Sequence, residues 1–210
     1  MIENLNELII YIYKEYKKCN INWEKCKEYN RINLKKNLVK NIKKTDQIFN
    51  TILEYRIFMR KEIVLFDMEL QKKFNIENMS RIETRIKAQN SIEYKIENYI
   101  KNHENGEEPI NKCFNDLYGI RIIYDEETKC DEIYNFIKNK YPNLKCRDAS
   151  KGEYKATHIY FKENNYTFHW ELQIWNKKDE KTNIESHKEY KQEYAKWEIE
   201  NKIKRRANKW

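Results

Sequence analysis

Residues 166–175 read YTFHWELQIW, in which large apolar or aromatic side chains alternate with polar ones. Successive side chains of a β-strand point to opposite faces. A strand here puts Tyr166, Phe168, Trp170, Leu172 and Ile174 on one face, which reads as core. Thr167, His169, Glu171 and Gln173 fall on the other. A polar row of this kind is either a solvated sheet face or the floor of a site. The strand by itself leaves both readings open, and the choice depends on what can come to face Glu171.

The rest of the chain supplies a sheet for that strand. MSRIETRIK alternates as a strand, LYGIRIIY is a strongly apolar one, and LKCRD and YKATHIYFKE are two more. Asparagines with Lys162 and Glu163 provide a hairpin turn into the 166–175 strand. A helix, SIEYKIENYIKNH, is expected to start at Ser91 as its cap, with Glu93 in its first turn. DEIYNFIKNKYP forms a short amphipathic helix stopped by Pro142. Residues 1–76 contain neither Gly nor Pro, and Leu34, Leu38, Ile42, Ile48, Ile52 and Tyr55 recur at helical spacing. Two or three helices are expected there: one ending near Lys18, with a break at 20–22, and one or a pair over 31–74. From Lys178 a long helix carries His187, Tyr190, Tyr194 and Trp197 along one face. Strands that follow one another without intervening helices point to an α+β fold. The expected architecture is a mixed sheet of about five strands flanked by helices. The chain divides into an N-terminal helical segment (1–76), an α+β core (77–177) and a C-terminal helix (178–210) that packs on the core or on a second subunit.

Composition narrows the function. A net charge of +8 favours anionic partners, and 14% aromatic residues argue for a packed fold despite 36% charged residues. Five cysteines without a C-x-x-C spacing disfavour a disulfide framework or zinc knuckle and fit a reducing, cytoplasmic setting. The apolar patch from Leu8 to Tyr13 is too short for a membrane span, and the acids before it are unlike a signal peptide. No Walker glycine loop is present, which excludes a P-loop.

Three further stretches carry chemistry. In RIKAQNSIEYK, Arg85 and Lys87 share a strand face, Ser91 lies at the next helix start and Lys95 follows one turn on. This is a phosphate cradle or simply a solvated helix start. In CFNDLYGIRIIY, Asp116 stands at the mouth of a strand, a common metal position, and Arg121 lies within the strand and needs an anion or an aromatic plane. Strict alternation requires Asp116 to precede the regular strand, or a bulge near Gly119. In KGEYKATHIYF, Tyr154, Ala156 and His158 share a face. Tyr154 near Arg147, Lys151 and Lys155 can stack a base while the cations hold its phosphates, or it is a core tyrosine.

Taken in order, Arg-x-Lys-x3-Ser-x3-Lys, Phe114-x-Asp-Leu-x2-Ile-Arg, Tyr-x3-His, Glu-x-Gln-Ile and His187-x2-Tyr190-Lys191 resemble the synthetase domain of the RelA/SpoT family over about residues 80–195. The resemblance implies a nucleotidyltransferase-like fold and a stand-alone alarmone synthetase without a hydrolase domain. Its reaction would transfer pyrophosphate from ATP to the ribose 3′-hydroxyl of GDP or GTP, with Mg²⁺. It implies that Arg85 and Arg121 sandwich adenine and that Lys87, Ser91 and Lys95 hold the phosphates. By the same resemblance Asp116 and Glu171 would hold the metal, and Glu171 would help deprotonate the acceptor. Tyr154 would stack on guanine with His158 beside the acceptor, and the cations next to Tyr154 (Arg147, Lys151 and Lys155) are expected on the acceptor side. Thr84 stands where the family usually has Gly, and Glu153 separates Gly152 from Tyr154, so the acceptor loop is reshaped. Two alternatives follow: a toxin-type enzyme acting on the 3′ end of tRNA, for which Lys35, Lys36, Lys40, Lys43 and Lys44 would suit a polyanion, and a non-catalytic nucleotide-binding relative. The expected partners are nucleotides, or tRNA, with no membrane and with a homo-oligomer as one arrangement of the outer helices.

Overall fold

The computed structural model describes residues 2–74, 79–125 and 129–207. The described strands form one mixed sheet in the order β1-β2-β5-β4-β3, namely Met79–Ile86, Tyr118–Tyr124, Trp170–Asn176, Thr157–Phe161 and Lys145–Asp148. The β2–β5 pair is parallel and the others are antiparallel. The helices are α1 (Ile2–Glu24), α2 (Gln47–Phe74), α3 (Gln89–Asn102), the one-turn α4 (Ile110–Cys113), α5 (Cys130–Lys140) and α6 (Glu180–Ala207). The α+β class and the mixed sheet agree with the sequence reading.

The register separates the two faces. Ile82, Ile122 and Ile174 align across β1, β2 and β5, as do Thr84, Ile120, Leu172 and, on β4, Ile159. This row is the core face, and α1 and α2 cover it. Tyr16 of α1 and Phe66 of α2 meet Trp170 with ring centroids 5.5 and 5.7 Å apart. Burying such rings, each worth about 2–3 kcal/mol, outweighs helix propensity as the reason these helices form here.

Three local expectations are corrected. The first helix runs on to Glu24, because Ile12, Tyr16, Cys19 and Trp23 continue its buried stripe and Trp23 packs on Tyr55. Residues 31–46 are not an α-helix, and only Val39–Asn41 forms a 3₁₀ turn. Their backbone groups bond elsewhere: Leu34 N donates to Asn165 O, Val39 N to Glu108 O, and Ile110 N to Asn37 O. The helical spacing of Leu34 and Ile42 therefore reflects burial from an irregular segment. The last strand begins at Trp170, not earlier. Thr167 instead accepts a hydrogen bond from the Tyr16 hydroxyl (3.1 Å), and Tyr166 lies under the Arg31 guanidinium rather than in the core. α1 and α2 thus pack on the sheet, while α6 packs on α3 through Tyr194 and Trp197 against Tyr94. No helix among the described residues is long and apolar enough to cross a membrane.

His169, just before β5, is buried, and neither ring nitrogen has a hydrogen-bond partner among the described residues. Burial first, then Lys162 and Lys145, lower its pKa to about 4. The folded value lies below the unfolded one, so the unfolded chain takes up the proton first as pH falls through 6.5. Stability should drop between there and pH 4, by about 2 kcal/mol from pH 7.5 to 5. Urea unfolding of the wild type and of His169→Phe at both pH values checks this: the variant should lose most of that dependence.

Candidate active site

The opposite sheet face holds the chemistry, and the register builds it in two rows. One row runs Glu83, Arg121, Gln173, His158, Arg147 across β1, β2, β5, β4 and β3. The other runs Arg85, Gly119, Glu171, Tyr160, Lys145. Glu171 therefore sits on the central strand, flanked by a glycine on one side and a tyrosine on the other. This resolves the opening alternation: Glu171 and Gln173 are buried on the face opposite the core instead of being solvated, while Trp170, Leu172 and Ile174 face the core.

Asp116 precedes β2, and the pairing of β1 with β2 is regular from 118 to 123, past Gly119, its register shift falling at the far end between Met79 and Arg81. Its two oxygens are clamped by ammonium groups, Lys87 Nζ at 2.6 Å from Oδ2 and Lys95 Nζ at 2.9 Å from Oδ1. Arg85 Nη2 lies 3.8 Å away. Burial alone would push the Asp116 carboxyl up, but Lys95 and Lys87 outweigh it and hold it well below the usual carboxylate range. The geometry starts in the backbone: Lys87 N donates to Leu117 O (2.9 Å), which brings the end of β1 beside the start of β2. The chain then turns at Ala88 into α3. Ala88 is thus the N-cap residue, with no side-chain cap bond, and Ser91 lies inside the first turn instead of capping it. Glu93 falls in the second turn, buried and paired with Lys44 at 3.0 Å.

Glu171 has different partners. His158 Nδ1 lies 3.1 Å from Oε1, and Gln173 Nε2 donates to Oε2 at 2.8 Å. Burial raises its pKa, but the hydrogen bond and charge interaction with His158, aided by Gln173, bring it below the ordinary value against repulsion from Asp116. A carboxylate so placed stays ionised at neutral pH.

Arg121 is fixed in plane. Its Nε and Nη2 donate to Gln173 Oε1 (3.1 and 3.0 Å), Nη1 lies 3.2 Å from Glu83 Oε2, and Cζ stands 3.7 Å over the Trp175 ring. On the other side, residues 151–154 form a tight turn with Gly152 at φ +57°, where a side chain would be strained. The turn presents Tyr154, whose hydroxyl bonds His158 Nε2 (3.0 Å) and accepts from Trp175 Nε1 (3.2 Å). Arg147 and Lys145 lie over the Tyr160 ring. Lys155 Nζ folds back to Gly152 O (3.0 Å), and exposed Lys151 lies in the turn. The structure thus brings Arg85, Lys87, Lys95, Asp116, Arg121, Tyr154, His158 and Glu171 onto one face. The side chains of His187, Tyr190 and Lys191 lie outside the described residues.

Sequence reasoning missed Gly119, Tyr160 and Trp175, which only the cross-strand register reveals. Gly119 lies between Arg85 and Glu171, and a Cβ there would meet no atom within 4 Å. Gly119→Ala should therefore leave the fold intact. Gly119→Leu should project into the open floor and cut turnover about 100-fold with little change in thermal midpoint, which a steady-state assay beside a melting curve checks.

As for metal, no cluster of three or more His, Cys, Asp or Glu among the described residues could hold an ion by itself. Two carboxylates are too few ligands by themselves, so a hard cation held by them would have to complete its shell with substrate phosphates and water.

Residues 84–195 match the family model described as the region found in RelA / SpoT proteins, over half of the chain. The chain belongs to the RelA/SpoT family. Among solved structures it is similar to small alarmone synthetase 1 from Bacillus subtilis bound to its product pppGpp (18% identity, 70% of this chain and 83% of that one, TM-score 0.44). It is also similar to a GTP pyrophosphokinase family protein from Streptococcus pneumoniae (17% identity, 74% and 86%, TM-score 0.46). No curated protein sequence matches. The RelA/SpoT match spans every side chain of the two carboxylate environments.

Proposed function

We propose that this protein is a Mg²⁺-dependent pyrophosphokinase that transfers pyrophosphate from ATP to the ribose 3′-hydroxyl of GDP or GTP. The observation that carries this reading is a pair of carboxylates, Asp116 at the mouth of β2, mostly buried among cations, and Glu171, buried on β5 against His158 and Gln173. In the reaction the 3′-oxygen attacks the β-phosphorus of ATP, the bond to the α-phosphate oxygen breaks, and AMP leaves. Such a transfer needs positioning and charge neutralisation more than covalent help. Lys87 and Lys95, now on Asp116, would turn to the phosphates, with Ser91 in the first turn of α3 beside them. Arg121, held flat on Trp175, offers its second face to adenine, and Arg85 supplies the opposing guanidinium. Glu171 accepts the proton of the 3′-hydroxyl. Tyr154 faces the acceptor base, with Arg147, Lys151 and Lys155 toward its phosphates. Mg²⁺ held by Asp116, Glu171 and the nucleotide would neutralise phosphate charge and acidify the hydroxyl.

One observation favours a second acceptor, the 3′ end of tRNA. Burial lowers the pKa of Lys145, with Arg147 and Lys112 adding to it, and burial with Lys35 and Lys145 does the same for Lys162. Such mutually repelling cations are the kind of surface that binds a polyanion. The purified protein should be incubated with labelled ATP, Mg²⁺ and either GDP, GTP or deacylated tRNA. Label on GDP or GTP supports the first reading, and label on tRNA alone moves the assignment to the second. No transfer to any acceptor, with ATP still bound, would leave a non-catalytic nucleotide-binding protein.

A further inference from the structure

Trp175 lies two residues beyond Gln173 on β5, fully buried, in a small apolar cluster with Ile123 and Ala156 on the site face. This cluster is separate from the main core. Two contacts set Trp175 apart from a packing residue. Its ring carries the Arg121 guanidinium at 3.7 Å, and its indole Nε1 donates to the Tyr154 hydroxyl at 3.2 Å. The Tyr154 and Trp175 rings meet edge to face, with centroids 5.9 Å apart and planes at 86°. Arg121 and Tyr154 come from β2 and from the turn before β4, and no ladder joins those segments directly. Trp175 is a shared neighbour of both.

We propose that Trp175 is a positioning residue that locks the donor-base platform, Arg121, to the acceptor-base platform, Tyr154, and so sets the separation of the two nucleotides. The proposal rests on the pyrophosphokinase reading for the roles of those two side chains. A guanidinium has two faces. With one on indole and its edges on Glu83 and Gln173, its plane is fixed before nucleotide arrives, and the ordering cost of stacking a purine is largely removed. The indole N–H does the corresponding service for Tyr154 through a single hydrogen bond. The two functions are chemically separable: the aromatic plane serves the donor and the N–H serves the acceptor.

That separation supplies the test. Trp175→Phe keeps a plane and removes the N–H, whereas Trp175→Leu removes both. The dissociation constant of a non-hydrolysable ATP analogue and the acceptor KM should be measured for each, alongside Tyr154→Phe and the double variant. Trp175→Phe should hold analogue affinity within about twofold and raise acceptor KM about fivefold. Trp175→Leu should weaken the analogue about tenfold as well. In the Tyr154→Phe background, Trp175→Phe should add no further loss, because the hydroxyl it served is gone. Equal changes in both constants for Phe and Leu, or additive losses in the double variant, would overturn the proposal and make Trp175 a packing residue. If the wild type transfers to no acceptor, the pyrophosphokinase reading fails. Analogue binding to Trp175→Phe and Trp175→Leu then decides the Arg121 half alone: tenfold weakening by Leu but not Phe supports it, and equal binding overturns it.

Discussion

Glu171→Gln should lower kcat about a thousandfold or more, while ATP affinity stays within a few fold. The substitution keeps the shape of a buried side chain on the central strand and removes only its charge and basicity. Gln173 and His158, at 2.8 and 3.1 Å, are left with an amide that cannot accept the acceptor proton or bind a hard cation well. ATP is held chiefly by Lys87, Lys95, Arg85 and Arg121 in the proposed mode, none of which ligates Glu171 directly. Steady-state rates and analogue binding measured on the same preparation check the split. Turnover near the wild-type rate would remove Glu171 as both base and metal ligand.

Asp116→Asn should also abolish transfer, but with a second consequence that Glu171→Gln lacks. Two largely buried lysines close on Asp116 at 2.6 and 2.9 Å. Removing the carboxylate charge between them leaves two like charges facing a neutral amide. Breaking such a cluster is expected to cost about 2–4 kcal/mol of stability, since the lysines lose their counter-charge and not merely a contact. Adding Lys87→Met and Lys95→Met should restore most of that stability and none of the activity. Urea unfolding of the three proteins reads the stability, and the transfer assay reads the activity. An Asp116→Asn protein as stable as the wild type would mean the clamp does not form in solution.

The two carboxylates differ in how readable they were. Glu171 stood out because its strand alternates cleanly from Trp170 to Ile174, so its place opposite a packed face followed from period alone. Asp116 followed from its position before an apolar strand, which forces it out of the alternation. The order of Arg85, Lys87, Ser91, Lys95, Asp116, Arg121, Tyr154, His158 and Glu171 along the chain carried the rest. What stayed hidden depends on neighbours distant in sequence. The β2–β5 pairing that sets Gly119 beside Glu171 and Arg121 beside Gln173 joins residues 52 apart. Nothing local announces that register, and nothing in the strand's own sequence singles out Trp175. Likewise Ser91 looked like a cap because its residue type suits one. The helix start was decided instead by the Lys87 to Leu117 backbone bond. The segment 31–46 misled in the same way: its apolar spacing was helical, but its hydrogen bonds go to residues 108–111 and to Asn165.

A crystal structure of the wild-type protein with a non-hydrolysable ATP analogue and Mn²⁺, located by its anomalous signal, tests the central claim most directly. The expected result is one Mn²⁺ ligated by both Asp116 and Glu171, with Lys87 and Lys95 moved from the carboxylate to the phosphates. Mn²⁺ bound away from these two side chains, with the lysines still on Asp116 and the nucleotide on another surface, would contradict it.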